Sequence, residues 1–430
     1  MTRYLSGLIG LLLLVPHAFA QEAPQTYDLQ AVIQRTLDAN PDIKAARAGV
    51  ETAQTKVEQA KAQRRPLVVG QAGYTQLNAD PSFSVAGMGT MTFGKTDNPF
   101  ANVNAQWPLY TGGMIENMIK ASRFGVDAAG QSYARQRQER AAEAAVAYYQ
   151  ALSAGQMAQV MRGQITALEE AVRVTTALQG QGMVAKVDVL RATADLQSAR
   201  AQLVQAENGQ RLALTNVKRI MNLPMETEIV LQPAESGLLL PDDAKVAIDG
   251  ALARRPEMAQ LHAYQEALKA QGAAARGERR PHVGLQAQYD LERMSTYPNV
   301  GDWSVELAIS QPLSDGGRAK AKEADAAAQL REVQAKEEAL KQGIAMQVTN
   351  GLLTVRSADE RMKATAAALA TAEEAFRMAE LSYRNQVGTI TDVLVAQTAL
   401  TAARAQHELA QFERQTAMIQ LHLALGEFGG

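Results

Sequence analysis

Residues able to do chemistry are sparse and scattered in this chain. There is no cysteine, which removes any disulfide, thiolate metal site or thiol nucleophile. The five histidines, His17, His262, His282, His407 and His422, are spread too widely for a dense metal centre. No phosphate loop, nucleophile elbow or zinc-protease helix motif occurs. The Gly-Gly pairs at 112–113 and 316–317 lack the third glycine of a dinucleotide site. The 16 methionines do not cluster and read as helix-core filler. Charge is balanced, 43 basic against 45 acidic residues, so bulk electrostatics do not point to nucleic acid. No enzyme, cofactor or metal is expected. Two acids stand out by position: Asp188 and Asp392, each followed by Val-Leu, 204 residues apart. Either could cap a helix. Set in a ring of three, Asp392 carboxylates would attract cations and repel anions.

The elements that must position them are written twice. Residues 1–20 read as a secretory signal: Arg3, an apolar run from Leu5 to Val15, then Ala18-Phe19-Ala20 before Gln21. Beyond it, Pro108-Leu109-Tyr110-Thr111-Gly112-Gly113 recurs as Pro312-Leu313-Ser314-Asp315-Gly316-Gly317, and Ala199-Arg200-Ala201-Gln202 recurs as Ala403-Arg404-Ala405-Gln406, both at an offset of 204. Upstream, Arg64-Arg65-Pro66 recurs as Arg279-Arg280-Pro281 at 215. We therefore expect a first repeat over 21–222, a linker over 223–242 and a second repeat over 243–430. Each repeat should run helix, two strands, very long helix, turn, helix. The first helices are expected over 28–65 and over 243–280, the latter interrupted near Pro256. The long helices are expected from Gly113 to Gln179 and from Gly317 to Tyr383, each roughly 100 Å at 1.5 Å per residue. Val348, Val355, Met362, Leu369, Phe376 and Tyr383 follow at intervals of seven, the spacing of a left-handed coiled coil.

Four segments alternate as strands, at about 67–78, 101–110, 282–292 and 302–313. Val283, Leu285, Ala287, Tyr289 and Leu291 alternate with Gly284, Gln286, Gln288 and Asp290. Trp303, Val305, Leu307 and Ile309 alternate with Asp302, Ser304, Glu306 and Ser310. Strands of this length with one apolar and one polar face suit an outer-membrane barrel. A soluble sheet would show the same alternation. Four strands cannot close a barrel, and hydrocarbon does not tolerate open edges. If the strands span a membrane, three copies would supply twelve. The 78–100 segment, with Gly87, Gly89, Gly94 and Pro99, should be an outer loop, as should 292–301.

These marks resemble the TolC-like outer membrane efflux proteins. The resemblance rests on Pro-Leu-x-x-Gly-Gly at 108–113 and 312–317, on Tyr383 followed by Thr389-Ile390-Thr391-Asp392-Val393-Leu394, and on the closing Leu423-Ala424-Leu425-Gly426. It implies a mixed α and β fold, mainly α. A homotrimeric twelve-stranded outer-membrane β-barrel would be continued by a long α-helical coiled-coil periplasmic barrel in a Gram-negative envelope. It implies outer membrane lipid, a periplasmic adaptor protein and an inner-membrane pump as partners, with no cofactor and no nucleic acid. The hairpin ends near Gly182 and Gly388 would form the periplasmic entrance. Asp392 matches an inward acid of the family's second hairpin, whereas Val395 stands where a second aspartate is usual. Gln386 replaces a usual glycine, which Gly182 keeps. Tyr383 and Arg384 complete the candidate entrance. Lys186, Asp188 and Arg191, with Gly182 and Gly388, are candidate tip or adaptor contacts. The resemblance implies passive conduction of drugs, toxic compounds or metal ions. A protein secretion channel, and a coiled-coil envelope scaffold without a pore, stay open as alternatives.

Overall fold

The computed structural model describes residues 25–92, 96–234, 237–241, 243–292 and 301–428. The expected signal segment, Gly94 and most of the 292–301 loop lie outside them. The first repeat comprises β1 (Gln25–Tyr27), α1 (Leu29–Ala39), α2 (Pro41–Ala62), β2 (Leu67–Gln76), β3 (Ser82–Val85), β4 (Gly89–Thr92), β5 (Asp97–Thr111), α3 (Met114–Gly180) and α4 (Lys186–Ile220). There follow β6 (Ile229–Leu231), α5 (Ala244–Arg254), α6 (Pro256–Gly277), β7 (His282–Glu292), β8 (Gly301–Ser310), α7 (Arg318–Arg384) and α8 (Ile390–Ala424).

The long helices α3 and α7 are 67 residues each. They follow β5 and β8 and carry the hairpin turns roughly 100 Å away. Each begins at a glycine in the left-handed region, Gly113 at φ 85° and Gly317 at φ 84°, preceded by a second such glycine. Two consecutive positive φ angles are open to glycine at little cost, which explains the repeated Gly-Gly. The heptad positions of α7 face inward at one end: Val348 and Val355 are fully buried, and the later members to Tyr383 are half-buried.

β2, β5, β7 and β8 form one antiparallel sheet in that order. Directly opposed residues share a face. Val68, Ala105, Ala287 and Val305 line up on one side. Gln71, Asn102, Asp290 and Asp302 line up on the other. On the apolar side Val103, Trp303, Val305, Leu307 and Ile309 are all exposed.

Five expectations need correction. The helix expected over 28–65 is two, broken at Asn40-Pro41 just as the second repeat breaks at Arg255-Pro256. Proline removes a donor and clashes with the preceding turn. β8 stops at Ser310 rather than 313, ahead of Pro312. β5 is longer than expected and shifts register between Pro108 and Tyr110, the bulge that a strand proline requires. The 78–100 loop holds its own hairpin, β3 with β4. The 223–242 stretch is also more than a connection: β6 pairs in parallel with β1, beside the largest core, where Tyr148 is fully buried.

Candidate functional site

The tip is built from two helix hairpins that meet through a shared apolar cluster. Leu168 of α3, Ala192 and Leu196 of α4, and Ile390, Val393 and Leu394 of α8 are buried together, with Phe376 and Tyr383 of α7 packed against them. The hairpin ends are therefore fixed relative to one another by packing.

Both turns end their helix in the same way. In the first, Met183 N–H donates to Leu178 O at 3.0 Å and Gly182 N–H to Gln179 O at 2.9 Å. In the second, Val387 N–H donates to Ser382 O at 2.9 Å and Gln386 N–H to Tyr383 O at 3.0 Å. This is the Schellman motif, which needs one left-handed residue. Gly182 supplies it at φ 72°; Gln386 is forced to φ 63°. Gly388 lies in the second turn, its N–H donating to Ser382 O at 3.1 Å.

The returning helices start differently. Thr389 caps α8: its hydroxyl accepts from Asp392 N–H, while the Asp392 carboxylate accepts from Thr389 N–H at 2.9 Å and from the Thr389 hydroxyl at 2.7 Å. This is a capping box. The Thr389 hydroxyl, then its backbone N–H, hold the Asp392 carboxyl below its ordinary range. The side chain is exposed, so it stays charged at neutral pH. The first repeat has Ala185 at the equivalent position, with no side-chain cap, so Asp188 lacks this role. Sequence spacing does not single out Thr389 by itself, although Thr-x-x-Asp before an apolar run is a recognisable start signal.

Asp188 lies instead near Tyr383 of the other hairpin. Burial, then the charge of Asp188, push the Tyr383 hydroxyl up in pKa. That hydroxyl is buried and has no hydrogen-bond partner among the described residues. Beside it a cleft of about 510 Å³ opens between α3, α7 and α8, lined in part by Arg173, Phe376, Glu380 and Leu394. Arg384 pairs with Glu380 at 2.6 Å, and its charge also reaches Glu170. Val395 is 63% exposed; Lys186 and Arg191 are exposed on α4. The tip thus brings Tyr383, Asp188, Arg384 and Glu170 into one electrostatic neighbourhood. Asp392 is tied to its own helix start. Among the described residues, no group of His, Asp or Glu side chains could hold a metal ion. No helix among them is long and apolar enough to cross a membrane; the sheet is the element with a lipid-compatible face.

Comparison with known proteins places this architecture. Protein CyaE of Bordetella pertussis is 25% identical over 407 residues, covering 93% of this chain and 84% of that protein. The outer membrane efflux protein BepC of Brucella suis is 24% identical over 409 residues, covering 93% and 83%. Among solved structures, CusC superposes with a TM-score of 0.77 at 19% identity, covering 93% of this chain and 92% of that one. The outer membrane protein VceC from Vibrio cholerae gives 0.74 at 19% identity, covering 93% and 96%. These structural likenesses establish the fold. Residues 32–223 and 247–427 match the family model for outer membrane efflux proteins. The chain therefore belongs to the outer membrane efflux protein family, whose members are outer membrane channels reaching into the periplasm and not enzymes.

Proposed function

We propose that three copies of this chain form one passive conduit across the outer membrane and the periplasm. Small molecules would enter it from an inner-membrane pump joined by a periplasmic adaptor. The observation that carries this reading is the sheet of β2, β5, β7 and β8. It has an apolar face, a polar face and two edges unpaired among the described residues. Open edges are not viable in hydrocarbon, and closure by further copies satisfies them. The helices α3 and α7 then continue the barrel as a tube.

In this reading the hairpin tip is the entrance. Three Asp392 carboxylates, held charged by Thr389, would form an acidic ring that favours cations. Val395 adds an apolar rather than a second acidic ring. Tyr383 and Arg384, which feel or exert charge across the hairpins with Asp188 and Glu170, would line this entrance. The exposed Lys186 and Arg191, with the turns at Gly182 and Gly388, would meet the adaptor. Electrophoresis without heating and planar-bilayer recording test the core of the proposal. Trimers with discrete conductance steps are expected, and the absence of both would overturn it. Replacing Asp392 by Ala should lower cation preference; unchanged conductance and selectivity would remove Asp392 from the entrance. Recovery of an adaptor and a pump with the tagged channel tests the assembly.

A further inference from the structure

The internal repeat does more than suggest symmetry, because its strand register is conserved to the residue. In the first repeat Leu67 pairs with Gln106 and Tyr74 with Pro99. In the second, His282 pairs with Ser310 and Tyr289 with Trp303. Adding 215 to each β2 residue and 204 to each β5 residue converts the first set into the second. Side chains follow the same rule. Trp107 Nε1 donates to Arg64 O at 3.0 Å, and Gln311 Nε2, at the equivalent position, donates to Arg279 O at 2.8 Å.

The chain also contains one joint between repeats, β5 with β7. There Val103 pairs with Tyr289 and Ala105 with Ala287. The same rule applied to this joint carries β5 onto β8 and β7 onto β2, and both of those strands have an edge unpaired among the described residues. Resting on the trimeric reading above, we propose that the seam between copies repeats the register of the internal joint. Leu307 then lies opposite Tyr74 of the partner subunit, and Ile309 opposite the partner's Ala72.

Three further features fit an occupant that is a second copy of this chain. The helix α3 packs along both α2 and α6, whereas α7 packs along α6 and has no comparable contact with α2. The missing neighbour of α7 is therefore α2 of another copy. At the internal joint Gly112 is tightly enclosed: an added Cβ would lie 2.3 Å from Gly277 O and 2.7 Å from Arg280 Cβ, and Arg280 Nη1 donates to Gly112 O at 3.2 Å. The equivalent Gly316 adopts the same left-handed backbone but has nothing within 4 Å of such a Cβ. The equivalent Arg65 is exposed and makes no side-chain hydrogen bond among the described residues. The two unused halves of the Gly112–Arg280 arrangement therefore lie on opposite sides of the molecule's open seam. One difference limits the equivalence. Ala62 stands where the internal joint has Gly277, whose added Cβ would come within 2.8 Å of Met114 N. The joint between copies is accordingly wider at the helix starts, and the strand register is the part that carries over.

The cysteine-free chain allows a direct test in the full-length protein purified from membranes. A Leu307→Cys, Tyr74→Cys double variant should give covalently linked dimers and trimers after oxidation and heat denaturation, and each single variant should give monomers. Opposed strand positions lie close to disulfide distance, so the register-shifted pairs of Leu307→Cys with Ala72→Cys or with Gln76→Cys should link about tenfold more slowly. Ile309→Cys with Ala72→Cys is a second, independent pair expected to link rapidly. Val103→Cys with Tyr289→Cys should close within one chain and confirm that the strands tolerate the change. Trimers that conduct but link fastest through a shifted pair would overturn the register and leave the channel reading standing. A cysteine-free parent with neither trimers nor conductance would overturn both.

Discussion

Among the described residues, four helix ends close on a left-handed residue, and in each repeat-related pair one is glycine and one is not. Gly182 is matched by Gln386, and Asn222, at φ 52°, is matched by Gly426, at φ 72°. Asn222 is compensated, since its Nδ2 donates to Ala39 O at 3.3 Å; Gln386 makes no such bond among the described residues. A left-handed non-glycine residue costs about 1–2 kcal/mol, of which glycine's extra chain entropy returns part. Gln386→Gly should therefore stabilise the tip by about 0.5–1 kcal/mol, and Gly182→Gln should destabilise it by about 1–2 kcal/mol. Resistance of the hairpin turns to limited proteolysis would show the two opposite signs. The departure at Gln386 is legible in the sequence because the companion turn keeps its glycine. The role of Asp392 is only half legible. Its recurrence with Asp188 suggests one shared task, yet the residue three places earlier decides the matter: Thr389 in one repeat, Ala185 in the other. Since Thr389 holds the Asp392 pKa below its ordinary 3.8, the capping contribution is complete above that value and is lost as pH falls through the lowered one. Hydrogen exchange at the start of α8 should accelerate in acid below about pH 4 in the parent. An Asp392→Asn variant should show a flatter profile; an equally steep one would exclude Asp392 as the titrating group.

Elements were readable where a period persists, and unreadable where a few long-range contacts decide. The two 67-residue helices follow from seven-residue spacing and from the Gly-Gly starts, and the sheet strands follow from alternation, most weakly for β2. The three-residue strands β1 and β6 carry no period, and their partners lie about two hundred positions apart, so nothing local announces them. The break between α1 and α2 belongs to the same class. Proline marks it, but what makes it stable is Asn40, which is buried and works in two directions. Its Oδ1 accepts from Asp42 N–H at 2.9 Å at the start of α2, and its Nδ2 donates to Ile220 O at 3.0 Å at the end of α4. The matching break in the second repeat uses charge instead: Arg255 binds Glu257 at 2.9 Å and Gln347 at 2.6 Å. Asn40→Ala would remove a cap and leave a buried carbonyl unpaired, a loss of about 2–3 kcal/mol. Asn40→Asp should keep the cap but not the donated bond, and so should rank between Ala and the parent only if capping dominates. Thermal unfolding of the purified protein, compared across the three proteins, measures this order.

At the scale of the whole molecule, function depends on which face of the sheet meets lipid. Opposed pairs put Val305 in line with Ala287 and Ala105, and Glu306 in line with Gln286 and Gln106. The alternation is clearest in the second repeat, which supplies Asp290, Asp302 and Glu306 to the polar face. The first repeat is less regular, since Leu67 and Val69 share that face with Gln106 and Asn104; sequence alone therefore leaves β2 ambiguous, and only its pairing settles its orientation. If the polar face lines the pore, its acids add to cation attraction at the outer end of the tube. A neutralising Glu306→Gln change should leave assembly intact and lower cation preference. The effect should be larger in dilute salt, because screening acts over about 10 Å at 0.1 M. One residue away, Val305→Arg should do the opposite. It would set a cation into hydrocarbon at about 2–4 kcal/mol per copy near the midplane, reducing membrane-inserted protein while the channels that do form keep their selectivity. Measuring inserted yield and selectivity in both variants separates two effects that a single variant would confuse. If Val305→Arg altered selectivity and Glu306→Gln altered insertion, the faces would be reversed, and the sheet could not close with its polar side around a pore.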